Sequence, residues 1–466
     1  MTAGLGYKRQ QDIDYPGRLL NANFFDSYNT SVAWSWQQIG AVLKSMEFKA
    51  YYNAVDHGMD NDGKPTALPM EGSTSPFALD VSVDASIDVV GGRAAFELVP
   101  ADFWYLELGA DIYSARRSAV RSIDRRDAPP AFPLVDQMWP DAVITDVGLF
   151  GRAEHHLGGF FTAAGTVRMD LVQARADENR VSDFFREQVS ADLDYSESNL
   201  NAAFTLSANP SQYWVISAGV GTAVRTADAT ERYSDRIPAS KSQTSAEFVG
   251  NPLLAPERST QVDLWVKSNY PRWAFSFNTF TRHMDDYITI RVTDLPKRLP
   301  LSPNTVFRYQ NGEAVLGGVE TSLAYWLASF LNSQVSVQYL WGKDKTVDEP
   351  ALGVTPLSVD IRLRYDSRRS DLFLETVLHM VDQQDRVASS RGERPTDGYT
   401  TLDLKGGIRM MEHLHLQLGV NNVFNTRYVN HLNANNPFAG MSMADYSGVR
   451  IPEPGRVIFI DLSYSF

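Results

Sequence analysis

The strictest constraint on this chain is a two-residue rhythm of apolar and polar side chains that recurs from one end to the other. In "LDVSVDASIDVV", Leu79, Val81, Val83, Ala85, Ile87 and Val89 share one parity, and Asp80, Ser82, Asp84, Ser86 and Asp88 share the other. "VDIRLRYD" sets Val359, Ile361, Leu363 and Tyr365 against Asp360, Arg362, Arg364 and Asp366. "HLHLQLGV", "TQVDLWVK" and "VSVQYLW" follow the same rule. Successive side chains of an extended strand point to opposite faces, so the rhythm demands strands with one apolar and one polar side. Helical spacing is hard to find.

Two kinds of connection separate these strands. Tight ones lie in "SFLNSQ" around Asn332 and in "MMEHL" around Glu412. Long ones, rich in Pro, Gly and Asp, cover 61–76, 116–141, 227–256, 294–311 and 430–454. Short turns at one end and long loops at the other are the layout of a transmembrane antiparallel β-barrel, and a soluble sandwich rarely holds so many long strands. The expected fold class is therefore all-β. The charged face of each strand is expected to line a wet lumen and the apolar face to meet lipid. Averaging two such faces accounts for a mean hydropathy of −0.27. At roughly 22–26 residues per strand and loop, a chain of this length gives roughly 18–20 strands.

Composition narrows the function. A net charge of −13 argues against nucleic acid as a partner, because phosphate neutralisation needs clustered Lys and Arg. With no cysteine among 466 residues, disulfides, thiolate zinc sites and cysteine nucleophiles are excluded. No run approaches the roughly 18 apolar residues of a membrane helix. The opening "MTAGLGYKRQQDIDYPG" lacks the apolar segment of a signal peptide. No P-loop, His-Glu-x-x-His or nucleophile elbow occurs, so no enzyme is expected. In "RVIFIDLSYSF", Ile458, Ile460, Leu462, Tyr464 and Phe466 alternate to a terminal aromatic. That ending resembles the signal read by the barrel assembly machinery. It implies a multi-pass barrel in a Gram-negative outer membrane, with the assembly machinery and lipid as partners.

Several stretches together resemble the barrel of TonB-dependent outer-membrane receptors. "GYTTLDLKGGIRMMEHLHLQLGVNNVFNTRYVNHL" (398–432) is similar to that family's near-terminal hairpin, with "GVNNVFNTRY" as its hallmark. "GNPLLAPERSTQVDLWVK" (250–267) looks like its loop leading into a strand, and "YQNGEAVLGGVETSLAY" (309–325) like a later strand. The resemblance implies a barrel of about 22 strands. It also implies a signal peptide, a TonB box and a plug before the barrel, and none of these is legible. The expectation is a single domain over 1–466, an N-terminally truncated barrel that meets the TonB system only if a plug lies upstream. An open sheet has two unpaired edges, which lipid does not tolerate, so this chain is expected to fold poorly by itself. Efficient heat-modifiable folding in detergent would overturn that.

Two further stretches are similar to the copper receptor subfamily: "AVRTADATERY" (223–233) and "AYYNAVDHGMDN" (50–61) preceded by "DIDYPGRLLNAN". Carried over position by position, the resemblance makes His57 and Met59 the barrel-side half of a copper site completed by Cys and Met of a plug. The residues fit that role, because two positions apart on a strand is one face, and imidazole with thioether favours copper over hard cations. Equally, the pair can simply fill space at a strand end. No resident cofactor is required, and copper enters as transported ligand. Two alternatives stay open. A ferric siderophore or cobalamin would call on Trp104, Tyr105, Arg116 and Arg117, and a passive pore or adhesin would use the long loops. Glu154–His156 reads as a solvated turn, while His283–Met284 and His379–Met380 each split across two faces. Met441 and Met443 form a weak soft-metal candidate in a loop, and Asp56, Asp60 and Asp62 flank the His57 pair.

Overall fold

The computed structural model describes residues 1–15, 18–67, 78–125, 134–238, 246–299, 302, 304–367, 369–433 and 450–465. Among them the chain forms one sheet of 21 strands. The first nine are β1 (Thr2–Ile13), β2 (Asn21–Gln37), β3 (Leu43–Asp60), β4 (Leu79–Leu98), β5 (Trp104–Arg125), β6 (Leu134–Gly158), β7 (Phe161–Arg175), β8 (Tyr195–Ser211) and β9 (Trp214–Arg225). Two short pieces follow, β10 (Ile237–Pro238) and β11 (Glu247–Val249). The next four are β12 (Glu257–Tyr270), β13 (Trp273–Thr293), β14 (Val306–Ala328) and β15 (Leu331–Asp344). After the short β16 (Glu349–Pro350) come β17 (Ser358–Asp366), β18 (Leu372–Val381), β19 (Tyr399–Met411), β20 (Leu414–Asn421) and β21 (Val457–Tyr464). Two single-turn helices, α1 (Asp183–Gln188) and α2 (Ala229–Tyr233), sit in loops.

Leaving aside the three short pieces, each strand pairs antiparallel with the next, from β1–β2 to β20–β21. Among the described residues β1 pairs only with β2, and β21 only with β20. This meander is the all-β barrel wall that the alternation demanded, with eighteen long strands. The expected loop at 116–141 is largely strand, since β5 runs on to Arg125 and β6 starts at Leu134. Tight turns join the other ends. Between β6 and β7 the chain reverses at Gly158 and Gly159, whose φ values of 93° and 60° favour glycine.

The wall carries the two faces of a membrane barrel. Val90, Ile112, Leu149 and Val167 are each half exposed or more on the outer side. Aromatic pairs gather at the short-turn end: Phe48 with Trp36 and Phe96, Trp104 with His155, Tyr270 with Trp273, and Phe330 with Tyr365. Such a girdle marks a membrane interface. In β17 the expectation holds: Ile361, Leu363 and Tyr365 face out, while Arg362 and Arg364 turn in to Glu375 at 3.2 and 3.4 Å.

In β4 the expectation fails over its first half. The β4–β5 register runs without a bulge from Leu79↔Arg125 to Leu98↔Leu106, so the parity of outward Val90 carries through the strand. Asp80, Ser82 and Asp84 therefore face outward, and Leu79, Val83 and Ala85 are buried inward. Leu79 packs with Ile123 and Leu299, with Val81 alongside. Above the bilayer the two environments exchange places, water lying outside the wall and packed loops inside it.

Those loops form a second core at the long-loop end. Phe248, Leu254, Ile290 and Tyr309 make one apolar cluster, and Val181, Phe185, Val249 and Val306 another. Buried ion pairs pin the loops to the wall and to themselves: Arg232 to Glu197 of β8 at 3.0 Å, Arg391 to Asp344 of β15 at 3.0 Å, and Arg236 to Glu247 within the β9–β12 connection at 3.0 Å.

Candidate functional site

His57 and Met59 occupy the upper end of β3. The β2–β3 register shifts between Ala22 and Phe24, setting His57 beside Phe25 and Met59 beside Ala22. On the other flank His57 pairs with Ala85 and Met59 with Val83. Ala22, Val83 and Ala85 are buried, so both candidate ligands look inward from one face. The Phe25 ring stacks on the imidazole at 6.0 Å with an interplanar angle of 27°. His57 Nδ1 is buried and has no hydrogen-bond partner among the described residues. Between the pair, Gly58 faces the other way, where an added Cβ would lie 2.5 Å from the Phe24 ring. An imidazole nitrogen without a protein partner, next to a thioether, can accept a soft or borderline cation.

The flanking acids do not join this pair. Asp56 and Asp60 have the opposite parity and point out of the wall, where Asp56 opposes Asp26. Further along the chain, Arg168 binds Asp111 at 2.7 Å and Asp170 at 2.6 Å, and Arg93 meets Glu107 at 3.1 Å. Arg282 donates to Gln261 at 2.6 Å. Arg93, Glu107, Arg168, Gln261 and Arg282 line a recess of about 740 Å³ in the inner wall.

The other sequence candidates fall out as follows. His155 stacks on Trp104 and His156 bonds Thr162 at 2.9 Å, so the Glu154–His156 stretch is turn structure. Met284 is buried inward while His283 faces out, and His379 turns to Asp360. Trp104 and Tyr105 sit at the short-turn end, far from any loop that could greet a chelate, and Arg116 is tied to Asp141. Met441, Met443 and Phe466 lie outside the described residues.

Motifs that carried the resemblance turn out to hold the loops. In "AVRTADATERY", Arg225 bridges Glu231 at 2.8 Å and Glu257 at 3.3 Å, and Asp228 caps α2 in a capping box with Glu231. Arg232 donates to the carbonyls of Pro252 and Leu254 at 2.7 and 3.0 Å, locking "GNPLLAPE" against α2. At Gly250 a Cβ would sit 2.5 Å from the Arg232 carbonyl oxygen, so only glycine fits. In "GVNNVFNTRY", Asn422 (φ 51°) and Asn425 (φ 55°) are left-handed, and Asn422 exchanges hydrogen bonds with Thr426.

Together these features define a class, a large antiparallel membrane barrel whose long loops fold into a core above a charged lumen. The chain belongs to the TonB-dependent receptor-like β-barrel family, whose sequence profile matches residues 2–423. Among solved structures, the copper transporter OprC superposes with a TM-score of 0.81 at 21% identity, over 97% of this chain and 67% of its own. The FrpB iron transporter from Neisseria meningitidis (F3-3 variant) gives 0.67 at 17%, over 95% of this chain and 64% of its own. The ferric yersiniabactin uptake receptor FyuA from Yersinia pestis gives 0.67 at 13%, over 96% and 62%. The chain thus spans about two thirds of the length of these structures, and the likeness is one of fold. No curated protein sequence matches it.

Proposed function

We propose that this chain is the barrel of an outer-membrane receptor that takes up a metal ion, with copper as cargo and His57 and Met59 as its barrel-side contacts. One observation carries the reading: His57 Nδ1 is buried, without a hydrogen-bond partner among the described residues, and on the same inward face as Met59. A buried ring nitrogen without a hydrogen bond is costly unless something else occupies it. The acidic balance of the chain favours a cationic cargo. The likeness to a copper transporter supports the same reading. Partners would be outer-membrane lipid, the barrel assembly machinery and, through a plug, the TonB system.

A ferric siderophore fits less well. The recess arginines Arg93 and Arg168 are already paired with Glu107, Asp111 and Asp170, so of the recess arginines described above Arg282, bonded to the neutral Gln261, is left to meet an anionic chelate. Copper(I) titration of the full-length gene product tests the proposal. His57→Ala and Met59→Ala should each weaken binding by about tenfold or more, as expected for loss of a metal contact. Unchanged affinity in both variants would remove copper.

A further inference from the structure

A second cluster of donors lies on the opposite side of the wall from His57. His283 and Asp285 on β13 and Glu313 on β14 bring a ring nitrogen and two carboxylate oxygens within 4.8 Å of one another. Their parity is outward, because inward Met284 pairs with inward Ala314, both buried, while His283 pairs with Val315. Continuing that register sets Asp285 opposite Glu313, immediately before the bulge between Met284 and Tyr287. Like charges facing each other across two strands repel, so the arrangement calls for a cation. Lys345 supplies part of it, 3.1 Å from Glu313, and His283 Nε2 lies 3.2 Å from Asp285. All three donors are about half exposed and reachable from outside.

We propose that His283, Asp285 and Glu313 form a divalent-cation site on the outer wall, above the hydrocarbon band and separate from the lumen. One imidazole and two carboxylates make a mixed nitrogen and oxygen set suited to a borderline ion such as Zn²⁺, in contrast to the softer His57–Met59 pair. Tetrahedral zinc holds such ligands at about 2.0–2.2 Å, so neighbouring donors around one ion lie about 3.3–3.6 Å apart. His283 and Asp285 already stand at that spacing, 3.2 Å apart, and the widest pair needs to close by about 1.4 Å at most, a rotamer adjustment open to half-exposed side chains. Remaining coordination positions face solvent and the membrane headgroups. Lys345 competes with the ion for Glu313.

Zinc titration of the full-length gene product in detergent, in a His57→Ala/Met59→Ala background, tests this. One saturable site is expected. His283→Ala and Glu313→Gln should each weaken it by about tenfold or more, and Lys345→Met should tighten it several-fold. A heat-modifiable gel shift on every variant establishes that the wall is intact. The proposal falls if the background protein binds no zinc saturably. It falls equally if binding survives both His283→Ala and Glu313→Gln in variants that keep the gel shift, or if Lys345→Met weakens it.

Discussion

Arg232 shows how a single side chain organises the extracellular end. Its guanidinium is fully buried, pairs with Glu197, holds two loop carbonyls and stacks 4.1 Å from the Tyr195 ring centre. Removing it leaves the Glu197 carboxylate buried without its cation, held among the described residues by hydrogen bonds from Asn199 and Thr226 alone. Arg232→Ala should therefore cost the loop core on the order of 3–5 kcal/mol, read as faster proteolysis and amide exchange across 227–256 with the strands unaffected. Unchanged loop protection would refute that role. At this scale parity made the shared face of His57 and Met59 legible, and it also separated His283 from Met284. Parity could not pair His283 and Asp285 with Glu313, about thirty residues further on, because strand register is not written in either strand alone.

At the scale of the element, β4 teaches that alternation fixes two faces without saying which solvent each will meet. The reversal of its upper half has a direct consequence. Val83→Asp places an unpaired charge against the buried face and should destabilise the region by several kcal/mol (about 2–5), whereas Asp84→Asn, on the wet outer side, should be close to neutral. Equal effects in thermal unfolding would restore the lumen-facing reading of these aspartates. The loop between β18 and β19 adds a pH effect. Burial alone would push the Glu393 carboxyl up, but hydrogen bonds from His431 and from the N–H groups of Ala388 and Gly353 outweigh it and hold the group below its ordinary value of 4.5. A lowered carboxyl stabilises the fold above its ordinary range, and that contribution disappears as pH falls through the lowered value. Amide protection of 384–396 should therefore hold from neutral pH down to the ordinary carboxylate range and decline below it. Glu393→Gln should loosen the segment at neutral pH and flatten the acid response. A wild-type loop that stays fully protected in strong acid would contradict this.

Taken whole, the molecule is a wall between lipid and water, and the two sides should respond differently to the same substitution. Leu323, 47% exposed on the outer face of β14, lies within the apolar band, while Gln338 on β15 faces Glu320 inside. Leu323→Arg should impair folding into detergent or lipid by about 2–4 kcal/mol, and Gln338→Arg should be tolerated, gaining a partner in Glu320. The opposite order in a folding assay would invert the barrel. Much of this was readable in advance. Strand identity, turn ends, the barrel class and the family all follow from parity and local motifs, since backbone geometry imposes a period of two wherever a strand separates two environments. The sequence by itself thus determined a two-faced β wall and put His57 and Met59 on one face of it. Only the tertiary structure decided that the environments swap above the bilayer, that the resemblance motifs are loop clasps, and that three donors meet across β13 and β14. Each of those depends on which distant segments are brought together, and the free energy of burial or ion pairing belongs to that encounter, not to any one segment.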